Sequence, residues 1–329
     1  MQDLTSIIGT IIISAICGLI FIPALLKFCK KKKLYDVPTG RKVHKTLIPR
    51  LGGISFLPSM MISALLVLYI LSSNATNGKI QISSWSVGFV MSLIVIYTIG
   101  FIDDLIGLDA KLKFVIQIAA ASVLPVCGLY INNFYGLFGI EEIPFWMGAP
   151  LTVFVFVFID NAMNLIDGID GLSASLSIMA FLGFLYCFIP YNLVVYEIVI
   201  SGFIGVLLTY LFYNIWGNPE KGTKIFMGDA GSLTLGFILA FLFVKALMVN
   251  PAVMPMSHRR VVIAYSLLIV PTFDVVRVII HRLRIGQPIF QPDRSHIHHK
   301  LMQVGQSQHK ALVTILLLQA AFVIMNTIL

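Results

Sequence analysis

The sequence predicts an all-α, polytopic membrane protein. It forms a single integral-membrane domain, 1–329, of about ten transmembrane helices with both termini extracytoplasmic. Three observations carry this. First, 58% of the 329 residues are hydrophobic and only 12% are charged, about half the charged fraction of a soluble globular domain. Second, apolar runs close to 20 residues recur along the whole chain. That length suits a helix crossing a hydrocarbon core of roughly 30 Å. Third, basic residues crowd into alternate loops, as the positive-inside rule requires. Backbone groups in lipid must be bonded internally, and long uninterrupted apolar runs exclude the alternating strands of a β-barrel.

The ten spans fall at about 5–29, 51–71, 85–102, 114–131, 149–166, 172–190, 193–213, 232–250, 261–280 and 311–328. The first loop holds Lys30 to Lys33, Arg41, Lys42, Lys45 and Arg50. Alternate loops then hold Lys111 and Lys113, Lys221 and Lys224, and Arg282, Arg284, Arg294, Lys300 and Lys310. This set is assigned to the cytoplasm. The same assignment, made from Lys and Arg alone, puts Asp103-Asp104, the Asn164–Asp170 stretch, Asp229 and His296–His299 on that side too. The net charge of +8 then speaks for orientation and anionic headgroups rather than nucleic acid. Cys17, Cys29, Cys127 and Cys187 lack metal spacing and read as buried thiols. The first apolar run lacks a basic leader and reads as a span, not a signal peptide. A transporter predicts acids near the midplane in two related halves; here the acids lie at one edge and no repeat is visible.

Four constellations interrupt the apolar pattern. Asp103 and Asp104 are adjacent carboxylates that resist joint ionisation without a cation. Mg²⁺ with a phosphate, the nearby lysines, or a solvated helix end would each answer that. In Asn161-Ala162-Met163-Asn164-Leu165-Ile166-Asp167-Gly168-Ile169-Asp170-Gly171, the polar residues recur every three positions, one stripe if the stretch is helical. Oxygen ligation of Mg²⁺ or polar contacts between helices are the two readings. Asp229, in Phe226-Met227-Gly228-Asp229-Ala230-Gly231-Ser232, either caps the eighth span or ligates a metal. The run Asp293-Arg294-Ser295-His296-Ile297-His298-His299 lacks the ligand set for zinc. It suits a phosphate or sugar hydroxyls, with a solvated loop as the alternative. Asp274 and Arg277, three apart, are expected to pair inside the bundle. Asp160 has no assigned role.

Taken together, these motifs resemble the polyprenyl-phosphate N-acetylhexosamine-1-phosphate transferases, in order and spacing over nearly the whole chain. The last loop is most similar to the undecaprenyl-phosphate N-acetylglucosaminyl-1-phosphate transferases. The muramoyl-pentapeptide enzymes usually carry three consecutive histidines where Ile297 intervenes here. The resemblance implies transfer of N-acetylglucosamine-1-phosphate from UDP-N-acetylglucosamine to undecaprenyl phosphate, releasing UMP, with Mg²⁺ or in its place Mn²⁺. It implies Asn164 and Asp229 as metal ligands and Asp103 and Asp104 as the catalytic acidic pair at the lipid phosphate, one of them as base. Lys113 would contact the pyrophosphate, and Asp167, Asp170 and Lys45 would lie near the nucleotide. Arg294, His296, His298 and His299 would form the sugar-proximal loop. Val43-His44-Lys45 and Pro49-Arg50-Leu51-Gly52-Gly53 look like the family's first cytoplasmic loop. The location implied is the bacterial inner membrane, among membrane lipids, with the site facing the cytoplasm. Another UDP-HexNAc or UDP-MurNAc-pentapeptide remains the alternative donor, and a homodimer is one open oligomeric state.

Overall fold

The computed structural model describes residues 2–35, 47–74, 84–288 and 295–328. Lys45 and Arg294, and with them Val43-His44, lie outside the described residues. Every predicted span has its helix: α1 (Gln2–Lys32), α2 (Phe56–Asn74), α3 (Ser84–Ile106), α4 (Ala110–Val126), α5 (Phe145–Ile166), α6 (Leu172–Phe188), α7 (Val194–Ile215) and α8 (Asp229–Leu247). Then come α9 (His258–Leu267), α10 (Ile269–Arg284), a short α11 (Ile297–Gln303) and α12 (Gln308–Ile328). No β-strand occurs among the described residues.

Among the described residues eight helices are by length and composition able to cross a membrane, or nine if the α9–α10 pair, bent by 63°, is one span. The expected ninth span is thus a broken helix. The expected fourth span is the shorter α4, of 17 residues.

The core is α8. Every residue from Ala230 to Leu247 is buried, as an apolar helix without a polar face should be. It packs chiefly against α3 and α5, while α1 and α2 pack on α7. In lipid, burying apolar surface does not by itself hold helices together; close packing and buried polar bonds do. Both are present. Thr209 donates to the Ala15 carbonyl at 3.0 Å, Ser92 to Ala120 at 2.8 Å, and Gln319 to Ser266 at 2.6 Å. Asn161 donates to Gln117 at 2.8 Å and so ties α5 to α4.

Asp103 and Asp104 near the end of α3, Asn164 at the end of α5 and Asp229 at the start of α8 are bonded together, as described below. Hence α8 runs antiparallel to α3 and α5. The α4 helix begins at this same end with Lys113. The segment after it returns to the start of α5, where the Ile131 N–H donates to Thr152 at 2.9 Å.

Gly100 sets the spacing of α3 and α8. A Cβ there would sit 2.6 Å from the Asp229 carbonyl oxygen and 2.7 Å from Ala230 Cα. Gly100→Val is therefore expected to force the two helices apart at a cost of about 1–3 kcal/mol, read as a lower unfolding temperature in detergent. An unchanged unfolding temperature would contradict this packing.

Candidate functional site: a carboxylate and lysine cluster at the start of α8

The first turn of a helix leaves backbone N–H groups without intrahelical partners. In α8 a carboxylate from another helix supplies them. Asp104 Oδ1 accepts the Asp229 N–H and Oδ2 accepts the Ala230 N–H, both at 2.9 Å. Asp104, not Asp229, is the cap. Gly228 permits it: its φ is +75°, and a Cβ there would lie 2.5 Å from Asp104 Oδ2. The Arg50 guanidinium grips the same corner, with Nε and Nη2 donating to the Asp104 carbonyl at 2.9 and 2.6 Å. The Gly52 and Gly53 N–H groups donate to the Phe226 and Met227 carbonyls, and the Phe226 N–H donates to the Pro49 carbonyl, which docks the first loop beside it.

With its main chain fixed, the Asp229 side chain faces Lys113. The Lys113 ammonium lies 2.8 Å from Asp229 and 3.0 Å from Asp103. The other oxygen of Asp103 accepts the Leu108 N–H at 2.6 Å, closing the α3–α4 turn. Asn164 donates to Ser232 at 2.8 Å and approaches Asp229 Oδ1 at 3.3 Å. The predicted stripe does not form as a helix face. The α5 helix stops at Ile166, so Asp167 and Asp170 sit in the turn that follows. Burial, then the carboxylates of Asp229, Asp170 and Asp104, push the Asp167 carboxyl up to about 8. Asp170 is ion-paired with Lys224 at 2.8 Å. Lys224 also donates to the Asn214 carbonyl, and the Asn214 side chain accepts the Gly171 N–H at 2.7 Å.

A cavity of about 380 Å³ opens among these groups, lined by Asp104, Asn164, Asp167, Asp170, Asp229 and His299 among others. That volume is in the range of small-molecule sites. Asp103 and Lys113 border it through Asp229. His296 and His298 stand behind His299, with ring centroids 6.0 Å apart, and 4.2 Å separates His298 from His299. Asn161 is bound to Gln117 and belongs to the scaffold. Asp160, 1% exposed, has no hydrogen-bond partner on either oxygen and packs on Gly236.

Sequence reasoning missed several contributors. Arg50, Tyr210, Asn214, Phe226, Ser232 and Gln308 also line the cavity, and Lys224 acts through Asp170. Arg50 carried a signal, as a basic residue beside the Leu51-Gly52-Gly53 turn, and so did Phe226 and Ser232, which bound the motif around Asp229.

The carboxylates of Asp229 and Asp103, on either side of Lys113, offer hard oxygens of the kind Mg²⁺ takes, whereas the Asn164 amide turns its NH₂ to Asp229 and Ser232. This ion keeps several waters and needs only one or two protein carboxylates beside substrate phosphates. That Lys113 already places a positive charge between the two aspartates is in keeping with such a site. Among the described residues no three His, Cys, Asp or Glu form a metal cage.

Fold and site together define an integral-membrane enzyme with a charge-lined centre at one end of its helices. The chain belongs to glycosyl transferase family 4, whose profile matches residues 86–247. It is 34% identical over 330 residues to the probable undecaprenyl-phosphate N-acetylglucosaminyl 1-phosphate transferase of Bacillus subtilis strain 168, covering 98% of this chain and 84% of that protein. It is 32% identical to the undecaprenyl-phosphate alpha-N-acetylglucosaminyl 1-phosphate transferase of Escherichia coli K12 (89% and 76% covered). The decaprenyl-phosphate N-acetylglucosaminephosphotransferase of Mycobacterium leprae is 31% identical (85% and 73% covered).

His298 yields a pH prediction. It is 1% exposed and neither ring nitrogen has a hydrogen-bond partner. Burial, then the neighbouring His299 and His296, lower its pKa from 6.5 to about 3. The folded state thus keeps it neutral below pH 6.5, where the unfolded chain takes up a proton. Stability is expected to fall as pH drops from 6.5 towards 3, by up to about 1.4 kcal/mol per pH unit from this group. In thermal unfolding in detergent, His298→Gln should flatten that slope; an unchanged slope would refute the assignment.

Proposed function

We propose that this protein transfers N-acetylglucosamine-1-phosphate from UDP-N-acetylglucosamine to undecaprenyl phosphate, giving undecaprenyl-diphospho-N-acetylglucosamine and UMP. This is read as the first membrane step of a cell-surface polysaccharide. The observation that carries the reading is the convergence of Asp103 and Asp229 on Lys113, with Asp104 and Asn164 both bonded to Asp229, in a chain whose family relatives bear names for this transfer. A lipid phosphate oxygen attacks the sugar-bearing phosphorus of the donor, the diphosphate bond breaks, and the electron pair leaves with UMP.

Asn164 and Asp229 would hold Mg²⁺, which would neutralise the diphosphate and the charge that grows on the leaving UMP. Lys113 supplies a second positive charge at the same place. In this reading Asp167 and Asp170 would contact the nucleotide, and the histidine run the sugar. A phosphate monoester has a second pKa near 6, so the attacking group is largely ionised at neutral pH. Proton removal by an aspartate then contributes little. In this reading Asp103 positions Lys113 and the lipid phosphate, and Asp104 positions Asp229. Both carboxylates are engaged in anchoring bonds, which supports direct displacement over an aspartyl-phosphate route.

The topology that goes with this reading has ten crossings, with α4 and the broken α9–α10 pair each counted once. Both termini are extracytoplasmic, and the site opens to the cytoplasm from the bacterial inner membrane. One substrate is water-soluble and the other is a lipid with an interfacial phosphate, so such a site belongs at a membrane surface.

The test is UMP release by the purified protein with undecaprenyl phosphate, Mg²⁺ and a panel of UDP-sugars. UDP-N-acetylglucosamine is expected to turn over fastest, and chelation of the metal to stop turnover. No UMP with any donor would overturn the reading, and preference for another UDP-HexNAc or for UDP-MurNAc-pentapeptide would transfer it to that donor.

A further inference from the structure

The wall of the cavity is acidic, with Asp104, Asp167, Asp170 and Asp229 all on it. Neither Lys113 nor Lys224 is part of that wall. Each ammonium lies 2.8 Å from an aspartate that is: Lys113 from Asp229, and Lys224 from Asp170. Among the described residues, the one lysine or arginine on the lining is Arg50.

Arg50 is held at both its main chain and its side chain. The Phe226 N–H donates to the Pro49 carbonyl at 2.7 Å, and the Gly52 N–H donates to the Phe226 carbonyl at 2.9 Å. Gly53 lets this loop close on α8, since a Cβ there would lie 2.1 Å from the Gly231 nitrogen. The guanidinium donates through Nε and Nη2 to the Asp104 carbonyl. A carbonyl oxygen carries no formal charge, so these two bonds orient the guanidinium without neutralising it. The Asp104 carboxylate meanwhile spends one oxygen on each of two α8 N–H groups.

We propose that Arg50 is a substrate-binding residue whose guanidinium takes the diphosphate of the nucleotide-sugar donor directly. An arginine fork matches phosphate oxygens in pairs. A fork already fixed in direction loses less freedom on binding than a mobile one. Lys113 has to part from Asp229 before it meets an anion in the cavity, whereas Arg50 already lines it.

The neighbours of Arg50 select which phosphate it meets. Phe226, bonded on either side of it in the chain, lines the cavity together with Asn214 and with Asp170, which is read above as a nucleotide contact. Asp103, which that reading gives to the lipid phosphate, is not on the lining. The proposal rests on the functional reading above that this site takes a UDP-sugar.

The experiment titrates UDP and uridine, each with Mg²⁺ present, against the purified full-length protein as wild type, Arg50→Gln and Arg50→Lys. Uridine is the control because it lacks the diphosphate. Arg50→Gln should weaken UDP binding on the order of tenfold, while uridine binding stays within about twofold. Arg50→Lys keeps the charge and loses the fork, so its loss for UDP should be smaller, about threefold. The KM for undecaprenyl phosphate should change by less than about twofold in either variant.

Equal losses for UDP and uridine would mean that Arg50 only braces Asp104, and would overturn the proposal. Unchanged UDP affinity in Arg50→Gln would overturn it too, as would an effect confined to the KM for undecaprenyl phosphate. If Arg50→Gln does not fold, Arg50→Lys decides by the same comparison of UDP with uridine. A wild type that binds neither UDP nor uridine defeats the functional reading, and the proposal with it.

Discussion

The site depends on one contact: the Asp104 carboxylate closing the N-terminus of α8. The two helices it joins are 125 residues apart at that bond, and α8 is the helix around which the bundle is packed. A helix N-terminus carries partial positive charge and unpaired N–H groups, and buried N–H groups without a partner are costly. The α3 carboxylate removes that cost and also fixes where the first residue of α8 stands. Asp229 is that residue. Its side chain meets Lys113 and Asn164 because its main chain is held by Asp104, and Arg50 in turn holds the Asp104 carbonyl.

A second constraint is charge balance. The cavity is lined by four aspartates, and without ligands two of the acids near it are matched by lysines: Asp229 with Lys113, and Asp170 with Lys224. A substrate bearing phosphates with a divalent cation could enter such a centre by exchanging partners, with little net change in buried charge. Asp160 is the exception. It is buried one turn before Asn164 without a hydrogen bond, and the structure offers it no role.

Most of the fold was legible because hydropathy reports helices in lipid directly. The bend at Leu268 was not, since one apolar run covers both α9 and α10. Nor was the shortness of α4, because apolar residues continue beyond its end. In the site, the polar clusters stood out as interruptions in apolar sequence, and the acids of three distant segments do meet. Their division of labour was hidden. The three-residue period from Asn161 to Asp170 suggested one helix face, yet Asn161 faces α4 and the helix stops before Asp167. Asp229 looked like a cap because a helix began there, whereas the cap comes from Asp104. Asp274 and Arg277 showed their mutual spacing but not their hold on His296. Each of these depends on contacts between distant segments, and no local pattern encodes them.

The most direct test of this account is whether Asp104 acts through Asp229. Mn²⁺, standing in for Mg²⁺, can be titrated by electron paramagnetic resonance against the purified protein in the presence of UDP. Asp229→Asn should abolish specific binding. Asp104→Ala should weaken it about tenfold, although Asp104 is not itself a ligand, while the protein remains folded. Wild-type affinity in Asp104→Ala would contradict the account.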